Sequence, residues 1–163
     1  MKLLVDQLAT YNVWANEQLL KVINSIPEEL HEKEVKCSFN SLQKTVLHMW
    51  DAESIWWQRM KLSEKISRPS EDFEGKMQEA SFFLLQQNRQ WLEWTKQAQE
   101  RLLLHEFIYM NSKKEQFKQP VYQVLLHIFN HGTYHRGQLV TILRQLEIEK
   151  IPQTDFIVFT RKK

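Results

Sequence analysis

The sequence predicts an all-α fold, a four-helix bundle with a short hairpin before the last helix and an extended C-terminal tail. Three observations carry that expectation. Apolar residues recur at spacings of three and four through four long segments. Pro27, Ser41, Pro69 with Gly75, and Pro120 fall at the edges of those segments, where helices start and stop. Only one short stretch, between His105 and Gln119, leaves the helical period. At 163 residues the chain fits one domain, 1–163, with enough aromatic and aliphatic residues for a substantial core.

The first helix is marked by Leu4, Leu8, Tyr11, Trp14, Ala15, Leu19, Val22, Ile23 and Ile26, and Pro27 closes it. Ser41, a good N-cap, opens a second helix whose Leu42, Val46, Met49, Trp56 and Met60 repeat helically to about Lys61. After a charged linker, Met77, Ala80, Leu84, Trp91, Ala98 and Leu102 mark the longest helix candidate. EFIYM and EQF around NSKK read as a small hairpin. Pro120 suits the start of a fourth helix running to about Ile148, and IPQTDFIVFTRKK closes the chain as the extended tail. The core is expected to include Leu8, Trp14, Leu84, Trp91, Ile128 and Ile142.

Twenty-two basic and twenty acidic residues leave a formal charge of +2, and the signs are interspersed. No basic block steers nucleic acid or an anionic membrane. No apolar run approaches a membrane span, and Asp6 interrupts the N-terminus too early for a signal peptide. A lone cysteine, Cys37, excludes an intrachain disulfide and a cysteine-rich zinc cluster, and suits a reducing, cytoplasmic compartment.

The chemistry-bearing feature is HIFNHGTYHRGQ, in which His127, His131 and His135 stand one helical turn apart. Helical neighbours at that spacing bring their Cβ atoms within about 6 Å, so two imidazoles can hold one metal ion. Taking about 100° per residue from His131, His135 lies near +40° within the apolar stripe, and His127 near −40° at its margin. His131 and His135 are therefore the better-placed pair. His127 suits a partner contact or a supporting hydrogen bond. A third donor must come from elsewhere, and His48 is the one histidine inside another predicted helix, flanked on its face by Thr45, Ala52 and Ile55. His31 and His105 lie in connections and are expected to face solvent.

A core histidine with ordinary hydrogen bonds is the plainer reading, and for His48 alone it would prevail. The pair in a core stripe favours metal. Gly132 and Gly137 interrupt the same helix at a cost of about 1 kcal/mol each against alanine, which points either to close approach of another group or to tight helix packing. Three neutral imidazoles with an open position suit zinc, nickel, iron or cobalt, with zinc the default. No HExxH occurs, and no Glu-x-x-His pair falls in the four long helices, so a zinc protease and a di-iron carboxylate site drop out. Gln138 on the same face, Tyr134 near −60°, and Asp51 one turn from His48 are candidates for supporting or substrate contact. Protons competing for imidazoles should weaken binding as pH falls through about 6.5 toward 5.

LHMWDAESIWWQRM with His48, then LLHIFNHGTYHRGQL, together with YNVWANEQLL and PQTDFIVFTR, resembles the DinB/YfiT-like family of four-helix-bundle metalloenzymes over nearly the whole chain. The resemblance implies that His48, His131 and His135 form a metal-binding triad, with water in the open coordination and a homodimer as the assembly. His127 matches a position that is often histidine without being a ligand. It further implies chemistry on a small-molecule substrate: relatives include transferases and isomerases that use low-molecular-weight thiols such as bacillithiol or mycothiol. Two other readings stay open, a metal-dependent hydrolase and a non-catalytic dimeric stress protein with a structural metal. The last would need a fourth protein ligand, for which Asp51 or Glu53 are candidates.

Overall fold

The computed structural model describes residues 1–111 and 113–161. Four long helices, α1 (Lys2–Ile23), α2 (Leu42–Met60), α3 (Met77–Gln97) and α5 (Val121–Gln145), make the bundle. A single turn, α4 (Glu100–Leu103), leads into the antiparallel pair β1 (Glu106–Met110) and β2 (Gln116–Pro120), with Glu106 opposite Pro120 and Met110 opposite Gln116. A short helix, α6 (Phe156–Thr160), ends the described chain. Both α1 and α2 pack on α3 and on α5, so α1 and α2 stand diagonally and α2 lies beside α5.

The helix starts follow local chemistry. Ser41 Oγ accepts a hydrogen bond from the Lys44 amide at 3.2 Å, the expected N-cap of α2. Pro120 precedes α5 with φ −67°, as its ring demands, and ends the strand pairing. The third helix is shorter than its apolar repeat implied: Ala98 turns to an extended backbone, ψ 130°. That leaves α5, with 25 residues, as the longest. The tail is likewise not wholly extended, because Phe156 and Phe159 pack their rings on Tyr11 of α1 and the intervening residues coil to bring both there.

Burial divides the interior into two apolar clusters. At one end Leu19, Ile23, Leu42, Val46, Met49, Met77, Leu84, Leu139 and Ile142 pack together. At the other, Val5, Ala9, Trp91, Leu103, Val124, Leu125, Ile128 and Phe129 do so. Leu84, Trp91, Ile128 and Ile142 are buried as expected, whereas Leu8 and Trp14 are only half-buried beneath the tail. His31 departs further from expectation, since it is 1 % exposed rather than solvent-facing. Its Nε2 lies 2.8 Å from the Ile23 carbonyl and its own carbonyl accepts from Gln43, so it pins the α1–α2 connection onto the bundle. His105 is exposed.

Between the two clusters lies a buried polar layer to which all four long helices contribute. Arg136 Nη1 donates to Asn12 Oδ1 at 2.7 Å and to Asn16 Oδ1 at 3.2 Å. Asn12 Nδ2 passes the polarity on to Glu53 Oε1 at 3.0 Å. On the other branch Asn16 Nδ2 donates to Asn88 Oδ1, whose Nδ2 donates to Glu53 Oε2, both at 2.7 Å. The guanidinium is thus the source and the carboxylate the sink of a closed ring of directed hydrogen bonds, and each asparagine can face only one way. All five side chains are at most 3 % exposed.

This layer explains one of the two helix-interrupting glycines. A Cβ on Gly132 would stand 2.8 Å from Asn12 Oδ1 and 3.2 Å from Arg136 Nη1, whereas at Gly137 nothing lies within 4 Å. Because Asn12 is held at both ends of its amide, it cannot swing aside freely. The two alanine substitutions should therefore differ in sign. Gly137→Ala should stabilise by about 0.5–1 kcal/mol through helix propensity. Gly132→Ala should destabilise by about 1–3 kcal/mol as overpacking outweighs that gain. Chemical denaturation of both variants reads the difference, and a stabilised Gly132→Ala would contradict this account of the layer.

Candidate metal centre

His48 comes from α2, and His131 and His135 from successive turns of α5, where those two helices lie side by side. One ring nitrogen from each lies within 4.8 Å of the other two, making the three imidazoles a group able to enclose a metal ion. His131 Nε2 and His135 Nε2 face each other at 3.0 Å. The His48 ring centre stands 4.6 Å from that of His135 and 5.3 Å from that of His131. On its outer face His48 stacks on Phe39 at 4.0 Å, 20° from parallel, so the loop before α2 fixes its tilt.

Gln138 is where the helix face placed it. Its Oε1 lies 2.8 Å from His135 Nδ1, and its amide nitrogen donates to Ser38 Oγ at 3.3 Å. An amide oxygen can only accept, so the contact places the ring proton on Nδ1 and leaves the Nε2 lone pair aimed at the other two histidines. Burial pulls the three pKa values below the ordinary imidazole range. His131 falls furthest, to about 4, through burial first and then the neighbouring histidines. For His135 the Gln138 hydrogen bond opposes the decrease. Neutral rings carry a lone pair for a metal, so this environment favours the ligating form.

The remaining candidates are peripheral. His127 is exposed, with its ring against Trp56 at 5.4 Å and 5.7 Å from that of His131. Tyr134, 63 % exposed, stands edge-on to His135 at 5.0 Å. Asp51 turns away to the connection after α2, where Ser70 donates to it from its amide at 3.0 Å and from Oγ at 2.6 Å. Glu53 belongs to the buried layer, and burial raises its pKa to about 7 against the pull of its asparagine partners. Neither acid joins the histidine group.

Three nitrogen donors without a carboxylate or thiolate fit a borderline divalent transition metal better than a hard oxygen-seeking one. Fold and site therefore define a helical-bundle protein with a three-histidine group able to hold such an ion. The chain belongs to the DinB family, whose model matches residues 1–161. It is 28 % identical to protein DinB of Bacillus subtilis over 92 % of this chain and 90 % of that protein. Two crystal structures share the fold. A DinB-like protein of Bacillus subtilis has a TM-score of 0.68 at 15 % identity, covering 91 % of this chain and 98 % of that one. Another, from Bacillus cereus, has a TM-score of 0.65 at 16 % identity, covering 85 % and 89 %.

The polar layer and Arg59 escaped the sequence reading. Asn12 and Asn16, four residues apart within the apolar stripe of α1, were its visible signal, because unpaired amides are costly in a core. Arg59 gave no comparable signal. No helix among the described residues is long and apolar enough to cross a membrane.

Proposed function

We propose that this protein is a metal-dependent enzyme in which His48, His131 and His135 hold a divalent transition metal, zinc or nickel, and a low-molecular-weight thiol attacks a small electrophile in a transfer or isomerisation. The observation that carries this reading is the combination of three converging imidazoles with two nearby acids committed elsewhere. A structural metal calls for a closed set of protein ligands, and Asp51 and Glu53 do not supply the fourth. When bound, a divalent ion supplies Lewis-acid chemistry that lowers the pKa of a thiol and favours its nucleophilic form at neutral pH.

The chain's own side chains do the holding and orienting. Gln138 keeps the His135 Nε2 lone pair on the site, and Phe39 holds the His48 ring. In the transfer, the sulfur pair forms a carbon–sulfur bond, the leaving group departs with its bonding pair, and the thiol proton passes to solvent. The protein is read as a cytoplasmic homodimer acting on a small molecule.

Cobalt substitution tests the thiol step. Adding bacillithiol, glutathione or coenzyme A to the cobalt-loaded protein should produce sulfur-to-metal charge-transfer absorption, and should do so equally in Cys37→Ser, which removes the chain's own thiol. Turnover of a model electrophile should depend on the same thiol. No spectral change with any of the three, together with thiol-independent turnover, would replace this reading by a hydrolase.

A further inference from the structure

A groove of about 540 Å³ runs along α2 from His48, one of the three clustered histidines, to Arg59. Its floor is one stripe of that helix, His48, Ala52, Ile55 and Arg59, at successive spacings of four, three and four. The middle is therefore apolar. Arg59 lies over the Trp56 ring at 4.6 Å and within 5.5 Å of the Tyr109 ring on β1. It has no hydrogen-bond or ion-pair partner among the described residues, and its Nε is buried and unpaired.

Of the other charged side chains along the groove, Arg68 and Asp51 have partners within the fold. Arg68 pairs with Glu71 at 2.7 Å, and Asp51 takes both Ser70 donors. Lys44 is exposed at the rim. The groove thus offers one uncompensated guanidinium, braced by two aromatic rings, with Ile55 and Ala52 between it and the His48 ring at the other end. A guanidinium in that setting is suited to a carboxylate or phosphate oxygen pair.

We infer that Arg59 anchors the anionic group of the substrate, so that the site takes small acids whose apolar middle lies over Ala52 and Ile55 and whose reacting end reaches His48. The inference rests on the proposed function only in naming the histidine end as the reacting one. An uncharged analogue leaves the guanidinium unpaired. Arg59 is a specificity determinant that makes no part of the metal-binding group.

The test uses hexanoate, hexyl phosphate and hexanamide as probes. Binding is followed through the Trp56 indole resonance at about pH 8, where imidazoles are neutral, in metal-free and in zinc-loaded full-length protein. In metal-free protein at least one of the anions should bind about tenfold or more tightly than the amide, and comparison of the two identifies the preferred headgroup. Arg59→Gln should abolish that preference, Arg59→Lys should restore part of it, and both should keep wild-type zinc affinity and melting temperature.

Hexanamide binding as tightly as both anions, or Arg59→Gln retaining the preference, would overturn the inference. Anion preference that depends on zinc and not on Arg59 would also overturn it, by assigning the anion to the metal. A protein that binds the anions through Arg59 but no zinc would leave this inference standing while refuting the proposed metal chemistry.

Discussion

Alanine at His48, His131 or His135 is expected to abolish tight zinc binding, each change lowering affinity by more than about 100-fold, because each removes one of three converging nitrogens. Gln138→Ala should cost less, about 10–100-fold, since it frees the His135 ring without deleting a donor. His127→Ala and His105→Ala should have little effect. His31→Ala should lower stability while leaving the metal in place, because the buried His31 ring holds the α1–α2 connection and lies outside the group. Metal analysis with chelator competition, on protein prepared without an affinity tag, reads all seven variants. Full zinc occupancy in every variant would remove the assignment.

The same measurement across pH separates the structure from the bare spacing argument. Free imidazoles would surrender a metal as pH falls through about 6.5. Here burial depresses all three pKa values and holds His131 near 4, so protons compete less effectively and the loss of metal should begin at lower pH. Occupancy halved already at about pH 6.5 would mean that the metal-free rings are better hydrated than their packing implies.

The legible part of this protein was the part written in short-range periodicity. Spacings of three and four placed all four long helices, and Ser41 and Pro120 marked two of their starts, because caps and ring constraints act within one turn. The pair His131 and His135 was visible for the same reason. His48 was not fixed by spacing, since its approach depends on α2 lying beside α5, which no local pattern encodes. His31 misled because its connection is polar, while the ring is buried and bonded back to the end of α1, a contact that no local pattern encodes. Gly132 looked like Gly137 in sequence; only the position of Asn12 across the bundle separates them.

Arg136→Met should be the most destabilising single change away from the histidines. The substitution removes the source of the buried ring and leaves Asn12 and Asn16 oxygens without a donor and Glu53 without its balancing charge. Breaking a buried pair from one side costs about 3–5 kcal/mol. At about 2–4 °C per kcal/mol for a chain of this size, the melting temperature should drop by roughly 6–20 °C. The loss should depend on pH with a definite sign. Burial raises the Glu53 pKa from 4.5 to about 7, so the folded chain holds that proton more tightly than the unfolded one. The associated stability is fully present below about pH 4.5 and is lost as pH rises through about 7. Without Arg136 the carboxylate is harder still to ionise, which extends this loss to higher pH. The deficit of Arg136→Met should consequently be larger at about pH 8 than at about pH 5, read by urea denaturation at both. Replacing the sink as well, in Arg136→Met/Glu53→Leu, should recover part of the stability and flatten the pH dependence, because no buried charge is then left alone. A deficit equal at both pH values and unrelieved in the double variant would mean that Arg136 acts through packing on Tyr11, 5.1 Å from its guanidinium, and not through the carboxylate.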